Sequence, residues 1–228
     1  MNLKLFSDIH LEHREFMPRF DPGSGEVLIL AGDILTAKHL KTGGIFKKQY
    51  LTFLDDCSKN YNHIIWVDGN HHYYGYNYES TSKVIKEYLP SNFHYLQNSS
   101  VLIDGVWFLG CTLWSNFRNE NAISMMENQV MMNDYRTIRI TEKYRKLNTN
   151  DTLDFHKKSV KFLDTKLSEL HGQKVVVVSH HSPTLRSIPE RFKTYDYGGY
   201  CSDLEWLIEK HNPILMCHGH THSFFDYQ

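Results

Sequence analysis

Cysteine is scarce in this chain. Cys57, Cys111, Cys201 and Cys217 lie far apart, and none belongs to a Cys-x-x-Cys pair. That excludes a disulfide framework and a zinc knuckle, and predicts small buried residues in a reducing compartment. Proline is also sparse, with 6 in 228 residues. No Pro-, Gly- or Ser-rich linker and no internal repeat divides the chain, so one domain spanning 1–228 is expected. No apolar run is long enough to cross a bilayer, which predicts no membrane partner. The chain enters a strand-like run, Leu3-Lys4-Leu5-Phe6, with no room for a leader before it, so a cytoplasmic location is expected. Neither sign of charge prevails, with 25 Lys and Arg against 26 Asp and Glu. A chain-wide electrostatic grip on nucleic acid is therefore not predicted, although a local basic patch stays open.

What the chain has in excess is histidine, 15 in 228 residues. Hydrophobic residues make up 41% and charged residues 22%, enough apolar mass for a sizeable core. The informative stretch is Val27 to Asp33, VLILAGD. A continuous apolar run ended by a turn signal reads as a strand buried on both faces. Gly32 allows a sharp turn, and Asp33 is then aimed out of the carboxyl end of a central strand. A bare carboxylate in such a place needs a cation or donors.

The pattern repeats along the chain. Leu3 to Phe6 reads as a strand followed by Asp8 and His10, which point the same way if the segment is extended. A helix is predicted on Phe46, Tyr50, Phe53, Leu54 and Cys57, then a strand from His63 to Val67 ending in Asp68-Gly69-Asn70-His71. Strand, helix and parallel strand form a right-handed βαβ unit. A second helix is predicted over Ser80 to Leu89, then a short strand from Phe93 to Leu96. A hairpin turning on Asp104-Gly105 comes next. Leu153 to Leu170 reads as a long helix capped by Asp151 and stopped at Gly172. Val175 to Val178 reads as a strand ending in His180 and His181. Ser202 and Glu205 read as a capping box, and Ile214 to Met216 as the last strand, running into Gly219-His220-Thr221-His222.

Five apolar strands thus end in metal-ligand residue types: Asp8 and His10, Asp33, Asn70 and His71, His180 and His181, and His220 and His222. In open α/β sheets, sites form outside the carboxyl ends of neighbouring strands, so the clusters should converge. Oxygen and imidazole donors without thiolate suit manganese, iron or zinc. There are too many for one four-coordinate ion. Two ions about 3.5–4 Å apart serve in-line displacement at phosphorus. Either His180 or His181 serves as the ligand, with His180 favoured because it comes first off the strand.

In order, the motifs Asp8-Ile9-His10, Gly32-Asp33, Gly69-Asn70-His71, His180 and Gly219-His220-Thr221-His222 resemble those of the calcineurin-like metallophosphoesterases over nearly the whole chain. The narrower likeness is to small bacterial and phage phosphoesterases. The resemblance implies an α/β fold, a four-layer αββα sandwich of the metallo-dependent phosphatase type. It implies that Asp8, His10 and His222 bind one ion, that Asn70, His180 and His220 bind a second, and that Asp33 bridges them. His71 would be the unliganded catalytic histidine. The activity implied is hydrolysis of a small phosphomonoester or phosphodiester by a metal-bridging hydroxide. A nuclease or cyclic-nucleotide phosphodiesterase on the same site is the alternative, with nucleic acid as partner. A scaffold that has lost catalysis would show broken ligands, and here every motif ligand is intact.

Three places depart from the family pattern. The residue after Gly-Asn-His is usually acidic and here is His72. Some members place an Asp three residues after the bridging Asp to orient the catalytic histidine, and here that residue is Thr36. Only six residues follow His222, where members usually continue into a further strand. Phe224 to Tyr227 is predicted to begin a strand beside an uncovered sheet edge. Residues 112–150 are expected as a lid or insertion, with a helix around Asn121 to Met132 whose methionines read as core filler. His13, His39, His63, His94, His156, His171 and His211 read as ordinary polar residues. Arg118, Arg136 and Arg186 read as ordinary ion-pairing residues rather than a phosphate clamp.

Overall fold

Side-chain alternation along the central strands sets the layers. The computed structural model describes residues 1–13, 22–141, 145–190 and 196–228. In β2 (Gly25–Ala31), Val27, Ile29 and Ala31 face one way, while Leu28 and Leu30 face the other. Leu28 and Leu30 pack, with Ile64 and Trp66 of β3 (Tyr61–Val67), against helices α1 (Ala37–Thr42), α2 (Gly44–Asn60) and α3 (Tyr78–Lys86). Val27, Ile29 and Ala31 instead meet a second sheet, through Phe108 of β6 (Val106–Cys111), Val176 and Val178 of β7 (Lys174–Ser179) and Cys217 of β8 (Leu215–Cys217). The outer face of that sheet carries Leu109, Val175 and Val177. They lie under Leu163 and Leu167 of α7 (Thr149–Glu169) and Leu207 of α8 (Glu205–His211). Helices, sheet, sheet and helices are the four predicted layers. β2, β3, β6 and β7 are buried on both faces over most of their length, and this is why they read as unbroken apolar runs. The last strand, expected to be buried, is instead an edge, with Ile214 and Leu215 59% and 41% exposed. Truncating Ile29 to alanine in the middle layer costs about 2–5 kcal/mol, because rigid neighbours on both sides cannot refill the space.

The first sheet runs β1 (Leu3–Phe6), β2, β3, β4 (Phe93–Tyr95), all parallel. The second runs β5 (Ser99–Ile103), β6, β7, β8, antiparallel only in the β5–β6 hairpin. That hairpin turns on Asp104 and Gly105, both left-handed at φ 47° and 77°, as a two-residue turn of this kind requires. β2 lies across from β7 and β3 from β6, so all the parallel strands deliver their carboxyl ends to one rim.

Several predicted details differ. The long helix begins at Thr149, capped by Asn148. Asp151 is its third residue and completes a capping box. Ser202 and Glu205 form no capping box. The Ser202 hydroxyl accepts from the Asn116 amide and Glu205 accepts from the Thr184 hydroxyl, while Leu204 occupies the cap of α8. The second helix is shorter than predicted, Tyr78–Lys86, capped by Asn77. Helix α5 (Ala122–Met131) sits where expected, but its methionines are only partly core filler. Met126 is 64% exposed and Met131 61%, while Met125 packs half-buried against a core cluster that Met132, just beyond, joins, so the expectation holds for only part of the set. Before it, α4 (Phe117–Glu120) is one turn that is left-handed at every residue. Phe224 to Tyr227 is not a strand, and Phe224 is 90% exposed. Leu3 and Leu5 are in register with inward-facing Val27 and Ile29, yet are 36% and 43% exposed. The layer between the sheets is therefore open along the β1 edge.

Candidate active site

The predicted ligands do not meet by strand alternation. Asp8, His10, Asp33, His220 and His222 all have positive φ, between 49° and 69°. Left-handed backbone costs roughly 1–2 kcal/mol per residue for side chains other than glycine. The surroundings enforce it. The Asp8 amide donates to the Gly32 carbonyl and the His10 amide to the Asp33 carbonyl, both at 3.0 Å. The pairing of β1 with β2 thus continues past the strands as two turning loops, and the extended geometry predicted for Asp8 and His10 gives way to this. Gly32, at φ 92°, is needed for a second reason, since a Cβ there would come within 2.2 Å of His180 Nδ1. A Cβ on Gly69 would likewise come within 2.1 Å of an Asp33 oxygen.

The seven predicted ligands converge in two overlapping groups. Asp8, His10 and His222 form the first, with donor atoms within 4.8 Å of one another. His222 Nε2 is 3.2 Å from Asp8 Oδ1 and from His10 Nε2. Asp33, His180 and His220 form the second, by the same measure. Asn70 joins it, with Oδ1 3.0 Å from His180 Nε2. Asp33 stands between the groups: its Oδ2 lies 3.3 Å from His180 Nε2 and 3.9 Å from His10 Nε2.

His180 and His181 face different partners. His180 Nδ1 donates to the Ala31 carbonyl at 2.9 Å, and this turns Nε2 toward Asp33. His181 Nδ1 faces the Thr112 carbonyl at 3.2 Å, away from the groups. Burial, reinforced by the His180 charge, pushes the His181 imidazole down to about 3. Burial acts on His180 too, but the Asp33 carboxylate overcomes it and holds that imidazole at about 9. Burial also opposes ionisation of Asp33 and Asp8. The histidines around them win, so both carboxyls lie below their ordinary value. His220 is pushed well below its ordinary value, chiefly by burial and then by the neighbouring His181 and His180.

Two residues essential to the arrangement escaped the sequence reading. Glu12 Oε1 accepts from His71 Nδ1 at 2.9 Å and lies 3.1 Å from His10 Nδ1. It meets the His71 ring where Thr36 does not, since the Thr36 hydroxyl pairs with His39 and Tyr50. Burial opposes Glu12 ionising, but His10 and His71 bring its carboxyl down to about 2. The His71 ring stacks on Tyr74 with centroids 4.0 Å apart. Asp134 accepts from Asn70 Nδ2 at 2.8 Å and from the Tyr74 hydroxyl at 2.6 Å, so the segment 112–150 reaches the site through a buried carboxylate. The signal for Glu12 was its spacing of two from His10. Nothing in the sequence marked Asp134. His72, in the usually acidic place, accepts the Gly69 amide at 2.8 Å through Nδ1, as a carboxylate there would. Arg118 and Arg186 lie over the rings of Tyr197 and Tyr227, and Arg136 donates to the Val130 carbonyl.

The residues fit metal. His220 Nε2 is buried with no hydrogen-bond partner among the described residues, beside Asp33 and His180. An orphaned buried nitrogen is costly, and coordination satisfies it. The donor set is imidazole and oxygen, and the second histidine nitrogen is anchored at His180 and His10, the usual arrangement around a bound ion. By contrast, Asp68, at the end of β3, is already saturated by Trp66, Tyr73 and Tyr95. A cleft of about 310 Å³ opens over the groups, walled by Tyr74, Met131, Met132 and Tyr200.

The described residues contain no helix long and apolar enough to cross a membrane. A search of solved structures finds the crystal structure of the phosphopantetheinyl hydrolase PptH from Mycobacterium tuberculosis, with a TM-score of 0.62. The two are 16% identical, and the match covers 98% of this chain and 85% of that one. Among curated proteins, uncharacterized protein L509 of Acanthamoeba polyphaga mimivirus is 25% identical, over 96% of this chain and 84% of its own length. The family model for calcineurin-like phosphoesterases matches residues 1–224. With the metal-fit site at the strand ends and a family match over nearly its whole length, this chain belongs to the calcineurin-like phosphoesterases.

Proposed function

We propose that the protein hydrolyses a small phosphorylated substrate at a dinuclear centre. The observation that carries this reading is the position of Asp33, whose Oδ2 lies within 4 Å of both His180 and His10. One carboxylate facing two donor groups suits a bridge. Asp8, His10 and His222 would hold one ion, Asn70, His180 and His220 the other, and Asp33 both. Manganese, iron and zinc suit these donors. When bound, the ions polarise the phosphoryl oxygens and supply the nucleophile for in-line displacement.

The chain's own residues supply the rest. The His71 amide donates to Asp33 Oδ1 at 2.9 Å and fixes that carboxylate in place. Glu12 accepts the Nδ1–H of His71, and His71 in its doubly protonated form hands the Nε2 proton to the departing oxygen from the cleft wall. Tyr74 holds the ring plane and Asp134 holds Asn70. Tyr200, Met131 and Met132 would receive an apolar or aromatic part of the leaving group. All four cysteines are buried and free, which suits a reducing compartment such as the cytoplasm. The test is turnover of metal-loaded protein on p-nitrophenyl phosphate and bis-p-nitrophenyl phosphate, with metal content measured in parallel. Hydrolysis of at least one, dependent on two bound equivalents, is expected. Full activity with a single equivalent would overturn the dinuclear reading.

A further inference from the structure

A third group of donors lies at the rim of the site. Glu12, His13 and His71, together with His10, bring ligand atoms within 4.8 Å of one another. Glu12 Oε1 is 2.9 Å from His71 Nδ1, 3.1 Å from His10 Nδ1 and 3.8 Å from His13 Nε2. A tetrahedral zinc ion with bonds of about 2.0–2.1 Å needs neighbouring donors roughly 3.3 Å apart, and the observed separations bracket that value. A second observation points to a ligand. The Glu12 side chain is only 6% exposed, and its Oε2 is buried with no hydrogen-bond partner among the described residues. Leaving such an oxygen unpaired is costly unless something positive meets it. His13 is 67% exposed, so solvent has direct access to this group.

We propose that Glu12, His13 and His71 form a third metal site, for zinc or another imidazole-seeking divalent cation, and that filling it inhibits the enzyme. Two imidazoles and one carboxylate are a zinc-binding set that leaves a fourth position to water. His10 stays with the first donor group through Nε2. The ion takes His71 Nδ1, whose proton leaves to solvent. The Glu12–His71 hydrogen bond is replaced by two bonds to the ion. His71 is then fixed as a ligand at the moment it is needed as a proton donor. The Glu12 that holds His71 without the ion thus helps to withdraw it when free cation is abundant. This inference rests on the reading of His71 as that donor.

The test is equilibrium dialysis against zinc, alongside turnover, for the intact protein and for His13→Ala and His13→Asp. The intact protein should bind three equivalents, the third most weakly, with turnover rising to the second and falling with the third. His13→Ala should bind two and keep its turnover at that loading, with the inhibitory zinc concentration raised by more than the roughly 10–100-fold that loss of an outer partner costs, since a direct ligand is removed. His13→Asp restores a donor and should restore the third equivalent. Saturation of the intact protein at two equivalents would overturn the site, as would a third equivalent that survives His13→Ala. A third equivalent that leaves turnover untouched would overturn the inhibition. His71→Ala assayed at two equivalents tests the donor role separately, since the zinc count on the intact protein does not depend on it.

Discussion

The two donor groups of the active site differ in how they meet water. In the group of Asp8, His10 and His222, the His222 side chain is 53% exposed. In the group of Asp33, Asn70, His180 and His220, every residue is buried. The buried group is also braced from behind, His180 by the Ala31 carbonyl and Asn70 by Asp134. Left-handed backbone occurs in both groups, and the open group is held by Glu12 against His10 Nδ1 and by the Asp8 carboxylate, which accepts the His220 amide at 3.0 Å. Such a pair should hold one ion tightly and exchange the other. Water reaches the open group directly, while the buried donors are fixed before any ion arrives.

The change expected to break this comparison outright is Asp33→Asn, because it weakens the one carboxylate that faces both groups. Both ions should be lost and turnover with them, measured by metal analysis of the purified variant. Retention of either ion at native affinity would show that Asp33 does not bridge. Next in size is His71→Ala, which should lower turnover about 10²–10⁴-fold with metal content intact. Glu12→Gln should lower turnover less, since an amide still offers His71 an acceptor. Its loss should be larger on substrates with poor leaving groups, where the donated proton matters most. Equal losses on good and poor leaving groups would remove Glu12 from proton transfer.

Asp134→Ala sharpens the comparison. It should weaken the buried ion about 10–100-fold and spare the open one, as loss of an outer partner usually does. Competition with a graded chelator, followed by metal release, reads the two separately. Equal weakening of both would show that Asp134 acts on the fold rather than on Asn70.

The smallest effect expected is on acid stability, which contrasts the metal-site histidines with those buried neutral. Burial brings His156 down to about 4, and its Nδ1 is 3.1 Å from the Leu113 carbonyl. Its unfolded value is near 6.5, so between about pH 6.5 and pH 4 the unfolded chain binds the extra proton. Stability from His156 is therefore full above about pH 6.5 and is lost as pH falls, by about 1.4 kcal/mol per pH unit. His156→Gln keeps a donor to the Leu113 carbonyl and should flatten this part of the melting curve against pH. An unchanged slope would assign acid sensitivity elsewhere.

The positions of the strands along the chain, the burial of the central ones on both faces and the identity of the seven converging residues were legible in the sequence. Each strand is a short apolar run, and each site cluster directly follows one. Segments that obey a different logic were not legible. The methionines of α5 looked like core by composition, but their helix presents Met126 and Met131 outward, and periodicity over ten residues does not say which face is covered. The expected capping box of Ser202 and Glu205 failed because both side chains found partners distant in sequence, the Asn116 amide and Thr184.

By itself the sequence determined what the site is made of. Asp8, His10, Asp33, Asn70, His71, His180, His220 and His222 are placed by local signals, an apolar run and then a turn, which act within a few residues. Only the tertiary structure decided how those side chains are aimed and by what. Left-handed turns, rather than extended strand ends, bring Asp8, His10 and His222 together, and those at Asp8 and His10 persist because the neighbouring loop takes their hydrogen bonds. Glu12 is 59 residues from His71 and Asp134 is 64 from Asn70. Asp134 carries no periodic or spacing signal, and the spacing of two that Glu12 keeps from His10 says nothing of His71. The role of each is set by desolvation and by the donors that folding happens to place beside it, which exist only once the layers have closed.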